Sequence, residues 1–288
     1  MTTPLGIIDA HVHVFEPKKF PYATKRNYTP GEATAENLRN HMLRIGADKV
    51  VIVQPSPYGA DNQATVQAVE ILGQDVARAI AVIDPERTAP EFVSSLWHSG
   101  VRGVRANLKT SGQTGIDTAR RQLEQLADRL SGTDMALQIF LPADVIVELK
   151  DTIRGLGRLT ILDHFAGLKI GDPNFSSTLD GLQEVLVLPN VVLKVSGSVR
   201  ATDYADTPVA MEPFIPALFD AAKDRIVWGS DWPHTGKSSE RAARPLSEIE
   251  PFMEIDDAKS LGYIREWCRS EAEFRNITYG TSKEIYGF

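Results

Sequence analysis

Eight short runs of apolar and β-branched residues alternate along this chain with seven amphipathic segments of helical character. The apolar runs are Ile7–Phe15, Lys49–Gln54, Ala79–Ile83, Val101–Asn107, Met135–Leu141, Leu159–His164, Val191–Ser196 and Arg225–Asp231. The amphipathic segments are Ala35–Ile45, Asn62–Leu72, Pro90–His98, Asp117–Leu130, Ala143–Leu156, Ser177–Val187 and Met211–Ala222. Strand, helix and strand in succession indicate a parallel sheet, and eight such units favour an α/β fold of the closed (β/α)8 TIM-barrel type. A doubly wound open sheet is the alternative, although no Gly-rich nucleotide-binding loop follows any run.

Length and charge narrow the class of protein further. A chain of 288 residues suits one barrel domain over residues 1–288. The net charge of −7 and the lack of a long basic block argue against nucleic acid and anionic membranes as partners. No apolar run approaches the roughly 18 residues of a membrane span. A homo-oligomer is left open, because outer barrel helices can pair without any motif.

Cysteine usage and the first residues bear on location. The single cysteine, Cys268, cannot form an internal disulfide, which fits a reducing compartment. The start Met1-Thr2-Thr3-Pro4 leads directly into the first apolar run and lacks the pattern of a signal peptide. A cytoplasmic location is therefore expected.

The first apolar run carries two histidines in the motif Asp9-Ala10-His11-Val12-His13. Strand alternation places His11 and His13 on one face. On the opposite face it places Ile8, Ala10, Val12 and Val14. Paired imidazoles can bind a metal, orient a carbonyl group or relay a proton. A buried structural pair is the alternative, because short motifs have high false-positive rates.

Polar residues also end several of the other runs. Alternation groups His164 with Thr160 and Leu162, and it groups Asp231 with Val227. Barrels keep their chemistry at the carboxyl ends of the strands. The residues expected to share one cup there are His11, His13, His164, Asp231, Arg105 and Asn107. Each alone could be a cap or an ion-pair partner, but their convergence favours a functional site.

Two long polar loops interrupt the pattern, Glu16–Gly31 after the first run and Pro233–Pro251 after the eighth. Loops of this length are usually functional or disordered. Both follow strands and so belong to the same face of a barrel. We expect them to form a wall or lid over its mouth.

Three motifs together resemble the amidohydrolase superfamily. They are Asp9-Ala10-His11-Val12-His13, Leu162-Asp163-His164-Phe165-Ala166-Gly167 and Trp228-Gly229-Ser230-Asp231-Trp232-Pro233-His234. The branch resembled is the one that holds 2-pyrone-4,6-dicarboxylate lactonase and sugar-lactone enzymes such as galactarolactone isomerase. Segments similar to that branch also include Val53–Asn62, Val101–Asn107 and the ending Ile285-Tyr286-Gly287-Phe288. The resemblance covers essentially the whole chain and implies a distorted (β/α)8 barrel.

The resemblance implies a lactone hydrolase in which Asp231 takes a proton from the attacking water. His11, His13 and His164 would polarise the carbonyl oxygen and stabilise the oxyanion. Arg105 would clamp a substrate carboxylate, with Arg200 as a second clamp. Further substrate contacts would come from Tyr22, Tyr28, Tyr58, Gln54 and Asn107.

The same resemblance raises the question of a metal cofactor. A binuclear site would need a carboxylated lysine after the fourth strand, where this chain has Arg105, a permanent cation that cannot bridge metals. The fifth run offers Gln138 and Phe140 where such a site would need a histidine. These departures argue against a binuclear site, and the resemblance to the lactonase branch implies a metal-free enzyme, which is the expectation. One divalent zinc or manganese ion held by His11, His13 and Asp231 is the alternative.

Departures from the family pattern bear on the substrate. Ser111 and Phe140 stand where the pyrone-dicarboxylate enzymes would have another arginine and a tyrosine. A small anionic lactone with one carboxylate, of the sugar-acid or muconolactone type, is expected instead. The alternatives are a lactone isomerase, a metal-dependent amidohydrolase or decarboxylase, and a catalytically silent sugar-acid binding protein.

Overall fold

The computed structural model describes residues 6–202, 207–236, 241 and 244–288. Eight parallel strands form one sheet in chain order. They are β1 (Ile8–Val12), β2 (Lys49–Val53), β3 (Ala77–Ala81), β4 (Val101–Asn107), β5 (Ala136–Phe140), β6 (Thr160–Leu162), β7 (Val191–Ser196) and β8 (Ile226–Gly229). The predicted (β/α)8 architecture is confirmed, although β3 begins two residues before the apolar run that predicted it.

Helices fill the connections between the strands. They are Ala35–Ile45, Gln63–Leu72, Pro90–His98, Leu108–Ser111, Ile116–Arg129, Ala143–Glu148, Lys150–Gly155, Phe175–Leu186, Thr207–Met211 and Ile215–Ala222. Two segments predicted as single helices are each divided. Ala143–Leu156 breaks at Leu149, whose N–H is shared between the carbonyls of Val145 and Ile146. The predicted Met211–Ala222 is interrupted before Ile215, because Pro213 has no N–H and its ring disfavours helix in the preceding residue.

The chain after β8 contains helices that the sequence analysis left unassigned. They are Asp257–Trp267, Glu271–Arg275 and Thr281–Tyr286, the last two joined by a π-helical turn over Asn276–Gly280. None of the helices in the described part of the chain is both long enough and apolar enough to cross a membrane.

Apolar side chains pack in two layers, one between the strands and the outer helices and one inside the barrel. The inner layer consists of Ile8, Ala10, Val51, Val53, Ile80, Ala136, Ile161, Val192, Val227 and Tyr286. The Tyr286 side chain is fully buried, and Tyr279, Ile285 and Phe288 pack around the same cluster. The end of the chain thus forms an apolar floor, while the carboxyl ends of the strands form the opposite rim.

An irregularity in β1 corrects the predicted alternation of its side chains. The register of β1 against β2 shifts between Asp9 and Val12. Ile8 and Ala10 lie in the inner layer, whereas Val12 packs in the outer one. The prediction that Ile8 and Ala10 share the face of Val12 is therefore wrong, because the bulge changes the phase of the strand.

The barrel closes where β8 meets β1, through bonds that involve the residues just after β8. Asp231 N–H donates to the His11 carbonyl at 2.8 Å, and His13 N–H donates to the Trp232 carbonyl at 2.8 Å. Ser230 N–H donates to the carboxylate of Asp9 at 2.9 Å. We call these three bonds the seam; it holds Asp231 beside both histidines of the first motif.

The two long loops contact each other at the rim. Glu250 N–H donates to the Thr29 carbonyl at 2.7 Å, and Pro30 and Glu250 form an isolated parallel bridge. Arg241 forms an ion pair with Glu250 and stacks over the Tyr28 ring at 3.6 Å. Residues 237–240 and 242–243 of the predicted Pro233–Pro251 loop, and the start at residues 1–5, lie outside the described residues.

Candidate active site

Asp231 occupies the turn after β8 with a left-handed backbone, at φ 69°. Its Oδ1 lies 3.5 Å from His13 Nε2 and 3.7 Å from His11 Nε2. That oxygen is buried and has no hydrogen-bond partner among the described residues. The strained turn therefore aims one carboxylate oxygen at two imidazoles.

His13 is oriented by the neighbouring strand. Its Nδ1 lies 2.7 Å from the Val53 carbonyl, which can only accept, so Nδ1 carries the proton. In the neutral ring, Nε2 then has a lone pair that faces Asp231 Oδ1. Two acceptors at 3.5 Å require a donor or a cation between them. A water molecule meets this need, since it can donate to both atoms.

His164 reaches the site through an unusual backbone. His164, Phe165 and Ala166 all have φ between 53° and 54°, and this left-handed segment turns the His164 ring inward. The prediction that His164 shares a face with Leu162 is wrong, because Leu162 packs in the outer layer and Ile161 in the inner one. The His164 ring lies 4.7 Å from that of His11, and its Nδ1 lies 3.0 Å from Ser196 Oγ.

Gly197 permits the close approach of groups after β6, β7 and β8. A Cβ at this position would lie 2.9 Å from His164 Nδ1 and 3.0 Å from Asp231 Oδ2. Its φ of 53° is also in the region that glycine tolerates best. A larger residue would push the imidazole and the carboxylate apart.

Arg200, in the turn after β7, is bound to the other oxygen of Asp231. Its Nε and Nη2 lie 2.7 and 2.6 Å from Oδ2, and Nη2 also donates to Thr235 Oγ1 at 3.2 Å. The Asp231 carboxylate thus has one paired oxygen and one open oxygen.

Asp163 is the second buried carboxylate of the site. Its Oδ2 accepts from Arg105 Nε at 3.1 Å and from Gln138 Nε2 at 3.0 Å. Its Oδ1 lies 3.4 Å from His11 Nδ1 and 3.6 Å from Lys194 Nζ. Asp163 therefore links the first histidine to two cations across the barrel.

These contacts set the protonation of the site. Burial lowers the pKa of His11 to about 3, and the Lys194 ammonium lowers it further against the opposing charge of Asp163. Burial also holds the pKa of His164 well below its usual range. Burial alone would raise the pKa of both carboxyl groups, but Arg200 and His164 hold that of Asp231 well below normal, and His11, Lys194 and Arg105 do so for Asp163. At neutral pH the site therefore contains neutral His11 and His164 rings and two carboxylates.

The donor set can accommodate a divalent metal ion. One ligand atom from each of His11, His164 and Asp231 lies within 4.8 Å of the others. Both ring nitrogens of His11 and Asp231 Oδ1 also lack hydrogen bonds among the described residues. This set contains His164 where the sequence analysis placed His13, although His13 Nε2 faces the same carboxylate oxygen.

Gln54, Tyr58 and Tyr22, which the sequence analysis assigned to substrate contact, bond to the protein. The Gln54 amide donates to the Asp61 carbonyl at 2.7 Å, and its oxygen accepts from Thr65. Tyr58 Oη accepts from Glu16 N–H at 2.8 Å, while Tyr22 Oη donates to the Pro30 carbonyl at 3.2 Å. These side chains order the loops around the rim.

Tyr28 and Asn107, the other two predicted substrate contacts, have different neighbours. Tyr28 is buried beneath Arg241. Asn107 caps the short helix that follows β4, and with Arg105 it lines a cavity of about 480 Å³. Among the described contacts, none of these five predicted residues forms a hydrogen bond, ion pair or ring contact with His11, His13 or His164, as Asp231 does with the first two.

Three charged residues of the site have no role in the sequence-based one: Lys194, described above, Asp163 and Lys109. The sequence analysis assigned a role to His164 and none to Asp163. Asp163 is two residues after the inward-facing Ile161, and this spacing predicts an inward-facing side chain. Lys109 Nζ lies 5.1 Å from the centre of the Phe140 ring, which in turn packs 4.7 Å from His164. Burial, with Lys169 and Arg200 nearby, lowers the pKa of this ammonium.

Comparison with known proteins agrees with this fold. A family model described as amidohydrolase matches residues 8–288, and the chain belongs to this family. It is 34% identical to 4-sulfomuconolactone hydrolase of Rhizobium radiobacter, over 99% of this chain and 91% of that protein. It is 31% identical to 2-pyrone-4,6-dicarboxylate hydrolase of Comamonas testosteroni, over 80% and 78% respectively.

Two further proteins are more distant in sequence. D-galactarolactone isomerase of Agrobacterium fabrum is 24% identical over 93% of this chain and 87% of its own. A Burkholderia multivorans amidohydrolase with bound zinc is 20% identical, covers 98% of this chain and 99% of its own, and superimposes with a TM-score of 0.71. Lactone-acting enzymes and a zinc-binding protein thus share this fold.

Proposed function

We propose that this protein hydrolyses a small anionic lactone, with Asp231 as the general base. The observation that supports the proposal is that the two oxygens of the Asp231 carboxylate have different surroundings. Arg200 binds Oδ2, while buried Oδ1 faces the Nε2 atoms of His11 and His13 without a partner among the described residues. Water bound at Oδ1 would donate one proton to the carboxylate and be oriented by the imidazoles.

In the reaction, Asp231 takes a proton from this water as the oxygen attacks the lactone carbonyl. The tetrahedral oxyanion needs fixed donors, which are commonly the largest catalytic contribution. His164 suits this role in the tautomer that has its proton on Nε2, in which Nδ1 accepts a hydrogen bond from the Ser196 hydroxyl 3.0 Å away. Asp231 then returns its proton to the ring oxygen as the carbon–oxygen bond breaks, and the hydroxy acid loses its other proton to solvent.

Metal-independent catalysis is supported by the charge around Asp231. The permanent Arg200 cation lies 2.6 Å from Oδ2, so it neutralises the carboxylate and would repel a divalent ion bound beside it. If a metal does bind, His11, His164 and Asp231 would hold it, and it would supply Lewis acidity and a more acidic bound water. The alternative remains a single zinc or manganese ion.

Recognition of the substrate anion is the task of the basic groups at the rim. Arg105 and Arg200 are paired with Asp163 and Asp231 in this structure. An incoming carboxylate that draws Arg200 from Oδ2 would make Asp231 more basic at the same moment. Lys109 adds a third cation, and no described carboxylate lies within ion-pair distance of it. A cytoplasmic location and assembly into a homo-oligomer remain predictions from the sequence.

A lactone panel tests this function directly. Metal-stripped enzyme is assayed with sugar-acid lactones and muconolactone-type rings, with and without chelator, in water enriched in oxygen-18. We expect turnover that survives chelator and a product with one heavy oxygen in its new carboxyl group. A converted lactone without heavy oxygen would identify an isomerase instead. Activity restored only by stoichiometric zinc or manganese would overturn metal independence, and no turnover of any lactone would overturn the hydrolase assignment.

A further inference from the structure

A chain of buried acidic and imidazole groups lies outside the barrel wall, behind the seam. His41, from the helix Ala35–Ile45, places Nε2 3.2 Å from Asp9 Oδ2 and Nδ1 3.7 Å from Asp257 Oδ2. Asp257 also accepts from His234 Nε2 at 2.8 Å. Asp9 and His41 are at most 1% exposed. The proposed reaction uses none of these four side chains.

Asp9 connects the two strands that carry the reacting groups. Its Oδ1 accepts from His11 N–H at 3.2 Å and from Ser230 N–H at 2.9 Å. A side-chain carboxylate thus supplies the acceptor that a backbone carbonyl would supply in a regular ladder. The two donors belong to His11 itself and to the residue directly before Asp231.

His41 is the group that fixes this carboxylate. A buried anion without a partner is costly, so Asp9 depends on its neighbour. The His41 ring also stacks on Trp232, with ring centres 5.4 Å apart and planes at 21°. Trp232 in turn accepts at its carbonyl from His13 N–H. His41 therefore contacts both sides of the seam.

The turn that His41 supports is strained. Asp231 and His234 have φ of 69° and 67°. Non-glycine residues are uncommon in this region and persist only where surrounding contacts determine them. The seam and the chain from Asp9 to His234 are the contacts that do so here. Loss of this support would let Asp231 Oδ1 leave its position 3.5 Å from His13 Nε2.

We propose that His41 is a positioning residue, which holds Asp231 at the histidines through Asp9 and the seam. The kinetic consequence rests on the function proposed above, but the structural consequence does not. Since amide donors can imitate either ring nitrogen, the two arms of His41 can be separated. His41→Gln keeps a donor near the Nε2 position facing Asp9, His41→Asn keeps one near Nδ1 facing Asp257, and His41→Phe keeps only the ring.

The experiment measures hydrogen–deuterium exchange of peptides covering residues 229–236 together with kcat and KM for a lactone that the wild type hydrolyses. His98→Phe is the matched control, because His98 is exposed on an outer helix. We expect faster exchange in His41→Phe and His41→Asn, with kcat lower by about 10- to 100-fold and KM changed less than about threefold. His41→Gln should restore both measurements toward wild type.

Folded His41→Phe with wild-type exchange at residues 229–236 would overturn the proposal, whatever the enzyme hydrolyses. Faster exchange with unchanged kcat would also overturn it, as would a His41→Gln variant no better than His41→Phe. If His41→Phe does not fold, the comparison of His41→Gln with His41→Asn decides the same question. Absence of lactone turnover in the wild type would refute the proposed function alone, since exchange still tests the positioning role.

Discussion

Arg200 donates from Nε and Nη2 to the same oxygen of Asp231, at 2.7 and 2.6 Å, and leaves the second oxygen facing His11 and His13. This arrangement gives one carboxylate two separate environments. The paired oxygen fixes the charge of the group, and the open oxygen is available to a water molecule.

Asp231→Asn should abolish turnover and spare binding. The amide oxygen can still accept from Arg200, but the side chain cannot take a proton from water. We expect kcat to fall by about 10²- to 10⁴-fold, the usual range for a general base. Binding of the hydroxy-acid product, measured by calorimetry, should stay within about threefold of wild type.

The control for this variant is Asp151→Asn, which neutralises an exposed carboxylate on an outer helix. Turnover by Asp231→Asn within threefold of wild type would contradict the assignment of the base. A wild-type protein that binds the product but converts no lactone would instead be a binding protein.

Arg200→Met should move the acid limb of the pH–rate profile to higher pH. Burial of Asp231 favours its neutral form, and Arg200 is the largest charge that overcomes this effect and lowers the pKa. Without the guanidinium, Asp231 takes up a proton at a higher pH and loses its function as a base there. The measurement is kcat/KM from about pH 4 to about pH 8, where carboxyl groups and histidines titrate.

Arg200→Lys should lie between the wild type and Arg200→Met, because a lysine retains the charge without the planar fork. Arg154→Met, which removes an exposed arginine, is the control. Superimposable acid limbs for wild type and Arg200→Met would show that the pair does not set the basicity of Asp231.

His11→Asn should make the stability of the protein less dependent on pH in mildly acidic solution. Burial lowers the pKa of folded His11 from 6.5 to about 3. Between these values the unfolded chain binds a proton that the folded one excludes, so the free energy of unfolding falls as the pH falls. Each fully linked proton contributes about 1.4 kcal/mol per pH unit.

The buried carboxyl groups do not add to the pH dependence of stability in mildly acidic solution. Their lowered pKa values give stability that is present above the unfolded value of about 3.9 and is lost only below it. Urea unfolding between about pH 4.5 and about pH 6.5 therefore isolates the histidines. Equal slopes for wild type and His11→Asn would refute the buried neutral state of this ring.

Lys109→Met should weaken recognition of an anionic substrate without slowing the chemical step. The ammonium lies 5.1 Å from the centre of the Phe140 ring, which packs against His164. A charge-assisted hydrogen bond is worth about 1.5–3 kcal/mol, so KM for an anionic lactone should rise by about 10- to 100-fold. The KM for the neutral methyl ester of the same lactone should not change.

Lys150→Met removes a lysine from an outer helix and is the control for total charge. An equal rise in KM for the acid and its ester would assign Lys109 to packing rather than to recognition of the anion.

The barrel could be predicted from sequence because its strands are buried on both faces and read as separate apolar runs. The convergence of His11, His13, His164 and Asp231 follows from the same architecture, since all of them lie at or after the carboxyl ends of strands. The orientation of His11 and His164 depends on features that alternation cannot show. One is the bulge in β1, and the other is the left-handed backbone at residues 164–166.

The partners of the charged groups could not be predicted either. Arg105 and Arg200 were predicted to clamp a substrate carboxylate, with an ion pair inside the protein as the alternative for Arg105, and each is paired with a carboxylate from another strand end. Such pairing depends on three-dimensional proximity between residues as far apart in sequence as Arg105 and Asp163. The helices near the end of the chain were not predicted because Glu271–Arg275 and Thr281–Tyr286 are short and Asp257–Trp267 is only weakly amphipathic. Among the residues of these helices, Tyr286 is the one that belongs to the buried inner layer.

The apolar floor formed around Tyr286 determines how substrate and product can reach and leave the site. Because side chains fill the base of the barrel, the rim at the carboxyl ends of the strands is the route that the described residues leave to the site. In the reaction proposed above, a departing acid must leave through this rim before the next lactone can enter. We therefore expect the product of the proposed reaction to inhibit the enzyme competitively with the lactone.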